Sequence, residues 1–272
     1  MRSDQLSYPP AKAYYKRKMR IIRFKTQDTP PQFGWIRDGR VGVIQGDPFG
    51  EFRRFEESYE LSQVKLLLPC LPSKIIAVGR NYRAHAAEMN NDIPTYPLIF
   101  LKPPSSLITN GESIILPPQS KRVEHEAELA IVVGKTSRWL TMENALDAIF
   151  GYTIANDVTA RDLQKTDGQW SRAKGFDTFC PVGPWIETEF DPTDALINCH
   201  VNNTLRQMSS TREMIFSVQQ LMLYISSVMT LNPGDLILTG TPAGVGQLQS
   251  GDVVSVHIDG IGTLVNPVAA QG

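Results

Sequence analysis

The run Val123–Val133 (VEHEAELAIVV) constrains the fold most. Its second half is apolar and β-branched, the composition of a strand buried on both faces. Side chains alternate along a strand, so Glu124, Glu126 and Glu128 in its first half share one face. Carboxylates stacked that closely repel one another and lose hydration unless a cation sits among them. Mg²⁺ takes one or two carboxylates together with waters and substrate oxygens, and would relieve that cost. An E-x-E alone is more often the solvated end of a strand, so the rest of the chain has to decide.

At 272 residues the chain has room for one or two domains and a sizeable core. A formal net charge of −1 gives no reason to expect nucleic acid or a membrane surface as partner, so any electrostatic function must be local. The three cysteines, Cys70, Cys180 and Cys199, are odd in number and widely spaced. They fit buried thiols in a reducing compartment, the cytoplasm or a mitochondrion, better than a disulfide framework. No apolar run approaches the ~20 residues of a membrane span. Residues 1–18 are basic, carry Pro9–Pro10 and lack an apolar core, unlike a secretory signal. They read as a flexible tail, with Met19 opening the folded part.

Strands are expected at Arg20–Lys25, Phe33–Arg37 and Val41–Gln45, with Asp38–Gly39 as a hairpin turn. Phe49–Leu61 reads as a short helix or loop. This gives a small β-rich N-terminal domain over 19–70, marginal alone by its size and expected to pack on the larger part, with Pro69–Pro72 as linker. The second domain, 71–272, begins with a buried strand at Lys74–Gly79, followed by a short Ala-rich helix over 80–89. Further strands are expected at 98–102, 113–116, 123–133, 151–158, 196–201, 204–208, 235–239, 252–258 and 262–268. Thr141 is placed to cap a helix over 142–149, and Lys165–Phe179 reads as a long loop. Ser217 is placed to cap an amphipathic helix whose stripe is Val218, Leu221, Met222, Ile225 and Met229. Strands outnumber helices and do not alternate with them, so the class is α+β and β-rich.

Five separated stretches, GRNYRAHAAEM (79–89), HEAELAIVVG (125–134), NDVTARDLQ (156–164), AKGFDTFCPVGP (173–184) and ILTGTPAGVG (237–246), agree in order and spacing with one family. Together they resemble the fumarylacetoacetate hydrolase family, in its shorter bacterial-type and mitochondrial-type members. The resemblance implies a mixed β-sandwich roll, a homodimer, and Mg²⁺ or Mn²⁺ held by Glu126, Glu128 and Asp157. It also implies substrates that are 2-oxo or β-diketo acids chelating that metal. Large animal-type members carry a further acidic ligand just before the catalytic histidine. AVGRNYRA, preceding His85, contains no acid, which speaks against true fumarylacetoacetate hydrolysis.

His85 and Glu88, one helical step apart, read as a dyad in which the carboxylate orients the ring and raises its basicity. In shorter family members this helix closes over the metal as a lid. Arg161, Gln164 and Lys174 match the family's polar substrate shell, Lys174 being suited to negative charge developing near the metal. Thr241 could bind a substrate carboxylate through its N–H and hydroxyl. Glu124 is read as a solvated or supporting acid, and His125, on the opposite face, as a packed histidine. The leading expectation is metal-dependent C–C hydrolysis of acylpyruvates through an enolate held on the metal. The rivals are oxaloacetate decarboxylation or tautomerisation, isomerisation of a hydroxymuconate-like diacid, and a non-enzymatic dicarboxylate-binding homologue. The group that faces the substrate's distal end should lie in 90–97 or 165–172.

Overall fold

The computed structural model describes residues 19–90 and 92–272. The tail expected over 1–18 lies outside them. Among the described residues, most of the strands lie in a twelve-stranded sheet and a five-stranded sheet. In spatial order the main path of the large sheet runs Phe52–Glu60, Arg40–Gly46, Gln32–Arg37, Arg20–Lys25, Cys180–Glu187, Ile149–Asn156, Ala127–Val133, Leu236–Leu238, Ile75–Gly79 and Leu98–Lys102. The second sheet runs Thr204–Ser210, Leu196–Val201, Val253–Ile258, Gly262–Ala270 and Ile114–Leu116. Neighbours are mostly antiparallel; Leu236–Leu238 runs parallel to Ile75–Gly79.

Strand Ala127–Val133 lies at the centre and is buried at every position. Its two faces feed different cores. Leu129, Ile131 and Val133 pack with Ile76, Ile154, Ile197 and Val256, and with Leu221, Met222 and Ile225. Ala130 and Val132 pack with Ile75, Ala77, Ala155, Leu236 and Leu238, and with Ile21 and Trp35. A strand enclosed on both sides has no use for a polar face, which is why its sequence from Leu129 to Val133 is continuously apolar rather than alternating; Glu128 is the one polar residue in it.

The helices are α1 (Arg83–Glu88), α2 (Arg161–Asp167), α3 (Ser171–Gly175) and α4 (Val218–Val228). Ser217 caps α4 with a reciprocal capping box to Gln220. Of its expected stripe Val218, Leu221, Met222 and Ile225 are buried, as the periodicity requires, while Met229 follows the helix as its C-cap and is half-buried.

Four local expectations are corrected. Phe52–Glu60 is a strand, not a helix or loop: it lies outermost on the large sheet, where charged residues suit the solvent side. The stretch 142–149 is turns and one 3₁₀ turn, Leu146–Ala148; the Asn144 side chain accepts the Thr141 N–H, and no α-helix follows. The loop 165–179 contains α3. The strand expected over 123–133 breaks at Glu126: Val123–His125 pairs with Thr159–Ala160 and Gly246–Gln247 in a separate small sheet.

Among the described residues, no helix is long and apolar enough to cross a membrane. The three thiols are buried, and burial pushes each up to about 12, so they stay protonated.

Candidate active site

Glu126 sits in the break between two strands, and Glu128 two residues further on lies on the same side of the chain. Asp157 follows strand Ile149–Asn156, and its N–H bonds to the Glu126 carbonyl at 2.9 Å. Antiparallel pairing of Ala127 with Asn156 therefore brings the third acid to the other two. Their carboxylate oxygens lie within 4.8 Å of one another, and all three residues are buried. Oxygen ligands of one Mg²⁺ sit about 2.1 Å from the ion, hence up to about 4.2 Å apart. The 4.8 Å span of the triad is slightly wider, so the carboxylates would draw in a little around one ion, and their all-oxygen chemistry suits a hard divalent cation.

Two lysines and an arginine hold these acids. Lys174, on α3, donates to Glu126 Oε2 at 2.7 Å and Asp157 Oδ2 at 2.6 Å. Lys102, at the end of strand Leu98–Lys102, donates to the other Asp157 oxygen at 2.6 Å. Arg161, the first residue of α2, bonds Glu124 at 2.7 Å, Gln164 at 2.7 Å, and Glu126. Burial opposes the Glu126 charge, but Lys174 and Arg161 outweigh it and hold its carboxyl well below the usual range. Among the described residues, Glu128 receives one hydrogen bond, from the Gly240 N–H at 2.6 Å. Burial, and repulsion from Asp157 and Glu126, push it well above the usual carboxylate range. Burial works against the Lys174 ammonium, yet Asp157 and Glu126 raise it. Among the described residues no lysine or arginine pairs with Glu128, so it is the acid of the triad that the protein's own cations serve least.

A cavity of about 250 Å³ opens on these groups, lined also by His85, Arg161, Gln164, Lys165, Trp170 and Thr241. All nine residues singled out from sequence, Glu88 excepted, line it. Glu88 stands behind His85, with Oε2 3.0 Å from Nδ1, while its Oε1 accepts the Gly244 N–H at 3.0 Å. The dyad is therefore anchored to the Gly-rich 240–246 turn. Asn81 fixes the entry to α1: its amide bonds the Thr239 and Phe216 carbonyls and the Phe216 N–H at 2.7–3.0 Å.

Glu124 is not solvated. It is 1% exposed and bridges Arg122 and Arg161. Of the two alternatives read from sequence the supporting acid holds: Glu124 bonds Arg161, 37 residues away, which in turn bonds Glu126. His125 packs on the opposite face, as expected, against Gln207. Lys102 was missed altogether: the signal was a lysine closing an apolar strand before Pro103–Pro104, which reads as an ordinary solvated end.

A β-rich fold with a buried carboxylate triad, a histidine–glutamate pair and a lysine on one cavity defines a class: proteins whose site could bind a divalent metal. The chain belongs to the fumarylacetoacetate hydrolase family. The family model described as "Fumarylacetoacetate (FAA) hydrolase C-terminal" matches residues 74–269, and "Rv2993c-like, N-terminal" matches 19–69. The oxaloacetate tautomerase fahd2, mitochondrial, of Xenopus laevis is 39% identical, the match covering 92% of this chain and 90% of that protein. The crystal structure of 2-hydroxyhepta-2,4-diene-1,7-dioate isomerase from Mycobacterium marinum is 46% identical, with a TM-score of 0.87 over 93% of this chain and 99% of that one. The maleylpyruvate hydrolase of Sphingobium sp. SYK-6, in complex with manganese(II) and pyruvate, is 33% identical, with a TM-score of 0.77 over 93% and 100%.

Proposed function

We propose that the chain is a divalent-metal-dependent hydrolase cleaving the C–C bond of acylpyruvates, in particular those with a distal carboxylate. The observation that carries this reading is the convergence of Glu126, Glu128 and Asp157 with the His85–Glu88 dyad and Lys174 on one cavity. Mg²⁺ or Mn²⁺ held by the triad supplies Lewis-acid polarisation of the substrate's 2-oxo group.

The side chains do the rest. Glu88 orients His85, whose free nitrogen takes a proton from water as the water oxygen attacks the distal carbonyl carbon. The bond between that carbon and C3 breaks, its electron pair going to the pyruvate enolate. Lys174 stabilises the developing negative charge. His85 returns its proton to C3, giving pyruvate and the second carboxylic acid. Gln164, Thr241 and the two donor hydrogens of Arg161 not used by Glu124, Glu126 or Gln164 serve the substrate carboxylate.

A second cavity, also of about 250 Å³, shares Met89, Arg161 and Lys165 with the first and adds Glu88, Glu124 and Arg122, whose Nε–H is taken by Glu124 and whose other N–H groups remain. Arg161 and Lys165 lie four residues apart on α2, hence on one face. Lys165 is exposed and makes no ion pair among the described residues. We assign the substrate's distal carboxylate to Lys165 and Arg122.

A second reading, keto–enol tautomerisation or isomerisation of a 2-oxo diacid, is favoured by the tautomerase and isomerase relatives. It needs the same dyad to move a proton at C3, without water. Turnover of acetylpyruvate, fumarylpyruvate, oxaloacetate and a hydroxymuconate, each with Mg²⁺, Mn²⁺ and EDTA, tests both readings. Hydrolysis predicts pyruvate release that EDTA abolishes and that His85→Ala lowers by about 10²–10⁴-fold. Tautomerisation of oxaloacetate without pyruvate release from either acylpyruvate would select the second reading. A metal-independent reaction would overturn both.

A further inference from the structure

Behind Thr241 lies a hydrogen-bonded network that the reaction scheme does not use. Its centre is Gln207, in strand Thr204–Ser210 and fully buried. The Gln207 Oε1 accepts the Ala127 N–H at 3.1 Å and lies 3.0 Å from His125 Nδ1. The Gln207 Nε2 donates to the Pro242 carbonyl at 2.8 Å and to Thr241 Oγ1 at 2.8 Å.

These partners fix every proton. The Ala127 N–H can only donate and the Pro242 carbonyl can only accept, so the amide of Gln207 has one possible orientation. His125 Nδ1 faces an acceptor and therefore carries the ring proton; Cys199 Sγ lies 3.5 Å from the same nitrogen. With both amide hydrogens committed and both contacts to its oxygen supplied by donors, Gln207 has no freedom to turn.

The consequence falls on Thr241. A hydroxyl has one hydrogen to give and lone pairs to accept. Because Gln207 donates to Oγ1, the Thr241 hydrogen cannot point back at Gln207, and no acceptor for it occurs among the described residues. Thr241 lines the cavity that holds the carboxylate triad. We infer that Gln207 is a positioning residue: it commits the Thr241 hydroxyl to donate into the cavity, to an oxygen of a bound carboxylate, with His125 locking the amide in place. The inference rests on the reading above that this cavity takes a 2-oxo acid.

Oxalate, a short dianion that chelates Mg²⁺, is the probe. Its binding to the Mg²⁺-loaded protein is measured by calorimetry, alongside Mn²⁺ affinity without oxalate. A lost hydrogen bond to a charged oxygen predicts a dissociation constant about 10–100-fold weaker for Thr241→Val. Thr241→Ser, which keeps the hydroxyl, should stay within about threefold of the wild type. Gln207→Glu replaces the donor by an acceptor that captures the Thr241 hydrogen, and should lose as much as Thr241→Val. The double variant should lose no more than either single one, because both remove the same bond. Gln207→Met, of similar size and uncharged, serves if the buried carboxylate prevents folding, and should fall between the two. Mn²⁺ affinity should not change.

Losses that multiply in the double variant, or wild-type oxalate binding in Gln207→Met, would overturn the inference. A fall in Mn²⁺ affinity without a change in the oxalate step would also do so, making Gln207 a support of the Ala127 backbone only. Failure of both Gln207 variants to fold would make it a folding residue and equally end the proposal. Wild-type binding in Thr241→Val would instead refute the underlying reading that Thr241 meets the ligand.

Discussion

Glu128 receives less help from the protein than the other two acids of the triad. Lys174 and Arg161 serve Glu126, and Lys174 and Lys102 serve Asp157, while Glu128 has one backbone N–H. Like charges held within 4.8 Å in a buried site work against folding. Glu128→Gln keeps the shape and the Gly240 contact and removes that repulsion. The metal-free variant should therefore melt at or above the wild-type midpoint, while the upward shift given by Mn²⁺ in the wild type should largely vanish. Thermal melts with Mn²⁺ and with EDTA check both signs. Lys165 belongs to the same scale. The residue is exposed and makes no ion pair among the described residues, so Lys165→Ala should leave stability unchanged. If it meets a distal carboxylate, KM for fumarylpyruvate should rise about tenfold and KM for acetylpyruvate should not, from loss of one charge-assisted hydrogen bond. Steady-state kinetics on the pair measure the difference.

At the scale of elements, turns and short helices bring the site together. The Gly240 turn is held at φ +98°, and a Cβ there would come within 2.7 Å of the Asn81 side chain. Only glycine lets the turn pass this close while its N–H reaches Glu128. Gly240→Ala should cost about 1–3 kcal/mol in urea unfolding, through strain and displacement of Asn81. Because that turn also carries Thr241, turnover should fall with it. The helices read well or poorly for a clear reason. α4 has three turns, a capping box and a full apolar stripe, so its local signals agree. The sequence SRAKG of α3 has no cap and no stripe; it is helical because Ala173 and Lys174 are buried against the site. Phe52–Glu60 was misread because an edge strand needs no apolar alternation when one side meets solvent.

At the scale of the molecule, the N-terminal strands are not a separate layer. Arg20 and Ile21 pair with Glu187 and Ile186, which continues the large sheet across the expected boundary near residue 70. Arg20 also bonds Glu187, and Met19, Ile21, Trp35 and Ile44 share a core with Ile75, Ala130 and Val132. We propose that 71–272 depends on this module. A fragment starting at residue 71 would expose that core and the Cys180–Glu187 edge, and should melt well below the full chain or aggregate. Calorimetry and light scattering on fragment and full chain test it; equal midpoints would show two independent domains.

The sequence by itself determined what is local or carried by a repeated pattern. The apolar 129–133 run, the Asp38–Gly39 hairpin, the α4 stripe and the E-x-E acids each follow from neighbours a few residues apart. The five motifs in order indicated the family. Only the tertiary structure decided which charges meet. Lys102 reaches Asp157 across 55 residues, Arg161 reaches Glu124 across 37, and Gln207 reaches Thr241 across 34. None of these partners carries a local signature, because a buried lysine and an exposed one look alike in sequence. Their roles come from desolvation, which makes a long-range partner obligatory once the sheet has placed an acid in the interior.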